Sequence, residues 1–177
     1  FQQVDVFSEE PLKGNPVAVV LDGEGLTTEA MQDFTRWMNL SETTFLLPPT
    51  EPEADYRVRI FTPAQELPFA GHPTLGSCHA WLRAGGKPKG SQIVQQCEAG
   101  LIRIRQEGGP LAFAAPPLLR ADAVSDADMA KIVAGLRVAP DAILRSQWLD
   151  NGPNWVGVML ASRDALLAIT PDYDALR

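Results

Sequence analysis

Cysteine and histidine are the scarce residues of this 177-residue chain, two of each, and their scarcity excludes most chemistry that needs a many-ligand or soft site. Cys78 and Cys97 cannot make the framework of a disulfide-stapled secreted domain, and both are read as reduced thiols. His72 and His79 lie two helical turns apart with Cys78 beside the second. No HExxH or paired CxxC spacing accompanies them, so no metal site is expected. No apolar run approaches the ~20 residues needed to cross a bilayer, and no signal peptide is visible at Phe1, so no membrane partner is expected. Cations are also few. The 15 Lys and Arg face 22 Asp and Glu, leaving a net charge of −7 and a pI near 4.8, and they form no stripe, which argues against nucleic acid as a partner. The expected location is cytoplasmic.

What the chain does have is breakers. Its 15 prolines and 14 glycines are spread without low complexity, which suits short strands joined by turns. Gln2 to Phe7 alternates as a strand, Pro11 to Asn15 reads as a turn, and Val17-Ala18-Val19-Val20 as a buried strand. Thr27 or Thr28 caps a helix whose Met31, Phe34, Trp37 and Met38 are expected to face a core, and Asn39-Leu40-Ser41 ends it. Glu42 then opens a strand, Thr43 to Leu47, that Pro48-Pro49 closes. Strands are also expected over Tyr56–Phe61, Ser91–Cys97, Leu101–Gln106 and Leu111–Ala115. Ala115 to Ala123 is the best linker. Beyond it come a helix capped at Ser125 and closed by Gly135, strands over Ser146–Asp150 and Trp155–Leu160, and a short helix capped at Ser162.

The chain turns on one corner. Strand Tyr56–Phe61 is stopped by Pro63, Pro68 keeps the connection extended, and Gly71 permits a tight turn. Pro73 suits the first turn of a helix that carries Leu75, Cys78, Trp81 and Leu82 and ends at Gly85-Gly86. Gly71 and His72 thus stand at a helix start, where free N–H groups and the positive dipole end favour an anion. Glu42, at a helix-to-strand junction among apolar neighbours, is a candidate for partial burial and hence for moving protons.

Three ordered stretches carry a family resemblance. Gly14-Asn15-Pro16-Val17-Ala18-Val19-Val20, Asn39-Leu40-Ser41-Glu42-Thr43-Thr44-Phe45, and Phe61-Thr62-Pro63 followed by Glu66-Leu67-Pro68-Phe69-Ala70-Gly71-His72-Pro73-Thr74-Leu75-Gly76 resemble the PhzF (phenazine-biosynthesis) family. The resemblance implies an α+β, diaminopimelate-epimerase-like fold of two lobes, each a mostly antiparallel sheet wrapped around a central helix. Residues 1–117 would form the first lobe and 118–177 the start of a second, incomplete one, so that the chain is a fragment of a longer protein or a truncated homologue. It implies an isomerase without a cofactor, acting on a small carboxylate-bearing substrate, and allows a homodimer. Glu42 would be the catalytic acid/base, with Gly71, His72, Asn15 and Gly152 binding substrate. In two-thiol epimerases of the related fold a Cys precedes the Gly of this corner; Ala70 stands there instead, so thiol chemistry is excluded. The rival expectations are a non-catalytic small-anion-binding protein of the same fold and an inactive truncated homologue.

Overall fold

The computed structural model describes residues 1–106, 109–151 and 154–176. The chain divides into two compact units, Phe1–Pro116 and Pro117–Arg177.

The first unit is an α+β arrangement built on one curled sheet. Its strands are β1 (Gln2–Val6), β2 (Asn15–Val20), β3 (Thr43–Leu47), β4 (Tyr56–Phe61), β5 (Glu66–Leu67), β6 (Ile93–Cys97), β7 (Gly100–Arg105) and β8 (Ala112–Phe113). They run in the order β1-β2-β3-β4-β6-β7-β8, with β5 paired to β4 off this path. Helix α1 (Thr28–Met38) links β2 to β3, and α2 (Gly71–Arg83) links β5 to β6. Most pairs are antiparallel, but the two helical crossovers return the chain in parallel, β2 beside β3 and β4 beside β6.

Strand alternation assigns the two helices to opposite faces of this sheet. Val17, Val19, Leu46, Val58 and Ile60 pack in one core with Cys78 and Ala80 of α2. Phe45 and Phe61 pack in a second core with Met31 of α1, their rings meeting edge to face at 5.6 Å. Each buried Val, Leu, Ile, Phe and Met side chain among these contributes roughly 1.5–3 kcal/mol through area removed from water. The sheet curls around α2, in which His72, Pro73, Thr74, Gly76, Ser77, Cys78 and Ala80 are all buried. Leu75 and Leu82 are only partly buried, and His79 is exposed.

Two details of this unit depart from the sequence expectation. Trp37 is 74% exposed, because the inward stripe of α1 runs through Met31 and Thr35 instead. Thr35 tolerates that burial because its hydroxyl donates to the Met31 carbonyl at 2.8 Å. The connection after β4 is not merely extended: Thr62 N–H donates to the Gln65 carbonyl at 2.8 Å, and the turn so made lets β5 pair with β4.

The second unit comprises α3 (Asp126–Leu136), a 3₁₀ turn at Pro140–Ala142, the antiparallel pair β9 (Ile143–Trp148) and β10 (Val156–Leu160), and α4 (Arg163–Leu167). Ser125 caps α3, but Gly135 does not end it. The left-handed turn falls on Arg137 at φ 54°, while Gly135 lies buried where a Cβ would run into the Leu176 side chain. Gly135 is the one buried residue among those described in this unit. Leu119, Trp155, Leu167 and Tyr173 are each at least 60% exposed.

Candidate active site at the start of α2

The corner is assembled by three neighbouring elements of the first unit. The face of β3 that carries Thr44 and Leu46 is the α2 face, and extending that alternation back one residue puts Glu42 there too. The Ser77 hydroxyl donates to Thr44 Oγ1 at 2.8 Å, so α2 is held against β3 directly below Glu42. A second buried chain holds the other side of the helix. Tyr56 OH donates to Gln95 Oε1 and Gln95 Nε2 donates to Thr74 Oγ1, both at 3.0 Å. Fully paired polar links of this kind fix a helix in register, since slipping would orphan each buried partner.

With α2 so placed, His72 Nε2 lies 3.5 Å from Glu42 Oε2. The two side chains are 8% and 14% exposed. Neither of the facing atoms has a hydrogen-bond partner, so the contact is close but not aligned. The imidazole also donates an N–H to the Pro16 carbonyl, and since Nε2 is unpartnered the donor is Nδ1. Burial pushes the imidazole below its ordinary value, against the upward pull of the Glu42 carboxylate and the Pro16 carbonyl. The ring is therefore neutral at pH 7 and turns its Nε2 lone pair toward Glu42.

Two further donors converge on this corner. Ala70 provides no side-chain cap, Pro73 has no N–H, and Thr74 N–H already bonds the Ala70 carbonyl. The N–H groups of Gly71 and His72 consequently stand outside the helical ladder at the positive end of α2. Asn15 joins from β2: its Oδ1 accepts from Ser41 Oγ at 3.4 Å, tying the residue before Glu42 to the residue before Pro16. Asn15, Glu42, Gly71 and His72 are thus brought to one place, whereas Gly152 lies outside the described residues. A carboxyl facing a neutral imidazole beside two free N–H groups can bind an anionic group and relay one proton.

Other candidates resolve simply. Cys78 is fully buried, and burial pushes its thiol up to about 12, so it is no nucleophile at neutral pH. Among the described residues no group of three metal-ligating side chains forms, and no helix is long and apolar enough to cross a membrane. The sequence reading missed the Pro16 carbonyl, whose role follows only from the β2–α2 contact, and Phe7, an exposed aromatic whose ring centre is 6.4 Å from that of His72.

Comparison with known proteins bears on the family and the fold. The sequence pattern of the family described as phenazine biosynthesis-like protein (PhzC-PhzF) matches residues 4–177. The chain is 39% identical to the trans-2,3-dihydro-3-hydroxyanthranilate isomerase of Pseudomonas aeruginosa, over 98% of its own length and 61% of that protein's. It is 44% identical to an uncharacterized isomerase of Mesorhizobium japonicum, over 97% of the chain and 59% of the relative. Among solved structures, a predicted epimerase from Pseudomonas aeruginosa superposes with a TM-score of 0.77 at 26% identity, over 96% of this chain and 62% of that one. A PhzF-family protein of Bacillus anthracis gives 0.74 at 26% identity, over 96% and 58%. The chain spans about 60% of the length of these relatives.

Proposed function

The chain belongs to the phenazine biosynthesis-like family, and from that premise we propose that it serves a cofactor-independent isomerase acting on a small carboxylate-bearing metabolite, with Glu42 as the proton carrier. The observation that carries this reading is the facing pair of buried, unpartnered atoms, Glu42 Oε2 and His72 Nε2, 3.5 Å apart. Buried polar atoms without partners are rare because each forfeits hydration, and two opposed at a helix start are best explained by a ligand that completes them.

In the reaction so derived, the Gly71 and His72 N–H groups take the substrate carboxylate, assisted by the helix dipole. Glu42 removes a proton from a carbon conjugated with it; the C–H electron pair moves into the adjacent bond and shifts the double bond along the chain. The same carboxyl returns the proton at the far carbon, so no atom or electron is gained or lost. Negative charge that develops on the way spreads toward the carboxylate, where the two N–H donors stabilise it. The His72 imidazole, unpartnered at Nε2 beside Glu42, is left to contact the bound substrate.

The test is to incubate the chain in heavy water with trans-2,3-dihydro-3-hydroxyanthranilate and with simpler unsaturated carboxylates, following deuterium entry at carbon. Glu42→Gln should bind as before, because the amide is nearly isosteric, while exchange falls by about 10²–10⁴-fold. His72→Ala should lose affinity as well as exchange. Wild-type exchange by Glu42→Gln removes Glu42 from the mechanism. Binding without exchange in the wild type moves the chain to the alternative, a non-catalytic small-anion-binding protein.

A further inference from the structure

Phe7 occupies an improbable position for an aromatic residue. Its backbone is left-handed, with φ 70°, in which a bulky L side chain crowds its own carbonyl, and its ring is 72% exposed. Neither feature serves the core, because β1 has ended at Val6 and the ring is not among the buried cluster. The strain has a visible origin in the loop that follows. Gly14 lies so close to the Val6 carbonyl that a Cβ there would collide with it, so the segment is drawn tightly back over the end of β1. What Phe7 does touch is the candidate site: its ring is tilted at 49° to the His72 imidazole, with centres 6.4 Å apart. On its other side it lines an open cleft of about 710 Å³ that follows α2 past Leu75, Gly76 and His79 and does not itself include Gly71, His72 or Glu42. Strained, exposed residues that persist beside a pair of orphaned polar atoms are characteristic of ligand clamps.

We propose that Phe7 is a specificity-determining residue: its ring is the apolar wall against which the planar, unsaturated body of the substrate lies while its carboxylate is held at the Gly71–His72 corner. The proposal rests on that corner as the carboxylate seat. A flat π-face accepts an sp² ring or conjugated chain in offset contact and makes a poorer fit with a puckered saturated ring. Phe7 therefore selects for unsaturation next to the carboxylate, the property that makes the proton acidic enough to be moved. His72, buried by more than nine-tenths and unpartnered at Nε2, marks where that body must end.

Benzoate and cyclohexanecarboxylate separate this idea from simple anion binding, since they share charge and carbon count and differ in planarity. Their affinities are measured on the intact chain by following the His72 and Gly71 amide resonances during titration. Wild type should prefer benzoate by about threefold to tenfold, the range that aromatic contact confers beyond area burial. Phe7→Leu, which keeps apolar area but lacks the π-face, should bring the two within about twofold. Phe7→Gly should lose the preference while melting no lower than wild type, because glycine accepts the left-handed backbone. Equal affinities in the wild type, a preference that survives in Phe7→Leu, or no saturable binding of either acid each overturn the proposal. So does a change of oligomeric state in Phe7→Gly, by sedimentation, without a change in preference, since the ring would then be a contact between copies. Loss of the planar preference with Phe7 while deuterium exchange is absent throughout leaves Phe7 as the wall and removes only the isomerase reading.

Discussion

Gly76 is where the packing of α2 and the chemistry at its start can be separated by one methyl group. It lies a turn beyond His72, buried, and a Cβ built there would collide with Val17 Cγ1 and sit 3.1 Å from Val6 Cγ2. Val17 is fully buried and cannot rotate aside. Overpacking of this kind costs about 1–3 kcal/mol, and alanine's better helix propensity returns about 1 kcal/mol. Gly76→Ala should therefore destabilise by roughly 1 kcal/mol net, lowering the melting midpoint by ~4 °C for a unit of this size. The functional effect should be larger. Relief comes from lifting α2 off β1 and β2, which widens the 3.5 Å approach of His72 to Glu42, and misplacement by a fraction of an ångström costs roughly tenfold in a positioned reaction. Thermal unfolding and deuterium exchange are the assays. Gly90→Ala is the control, because nothing lies within 4 Å of its Cβ position. Adding Val17→Ala makes room for the new methyl, so the double variant should lose less stability than the sum of the two single changes. Gly76→Ala matching Gly90→Ala in both stability and exchange would refute the claim that α2 packing sets the site geometry.

Two further outcomes follow from buried titrating groups. Burial holds His72 below the ordinary histidine value of 6.5, so the unfolded chain takes up that proton first. The resulting stability is fully present above pH ~6.5 and is lost as pH falls through the lowered folded value. Midpoints of the wild type should drop more steeply below that pH than those of His72→Gln; parallel curves would show that the imidazole is not held neutral. Burial likewise raises both thiols, Cys78 and Cys97, and both are inaccessible in the fold. An aromatic disulfide reagent at pH 8 should label neither until denaturant unfolds the first unit, and rapid labelling of the native chain would contradict the packing around α2.

Much of this could be read in the chain because it is local. Alternation in Tyr56–Phe61, the strand Thr43–Leu47, the Thr27 cap, the helix end at Asn39 and the Pro73 turn each depend on a few adjacent residues, and each appears in the structure. The motif around Gly71 and His72 also announced the family. Other features depend on partners distant in sequence, and these only the tertiary structure decided. Trp37 fits a helical stripe as well as Thr35 does; what chose between them is the ring pair Phe45–Phe61, which Met31 covers and Trp37 does not. Gly135 looks like a helix terminator until Leu176 packs over it and the turn passes to Arg137. The short strand Glu66–Leu67 exists because β4 has a free edge there to pair with. The site follows the same division. Glu42 and His72 were legible as separate candidates, but their 3.5 Å approach, the Pro16 carbonyl that orients the ring, and the strained Phe7 beside it arise from the curl of the sheet around α2. A residue's backbone preference is a property of its neighbours along the chain, whereas its burial, its charge state and its partner are properties of whatever the folded chain brings against it.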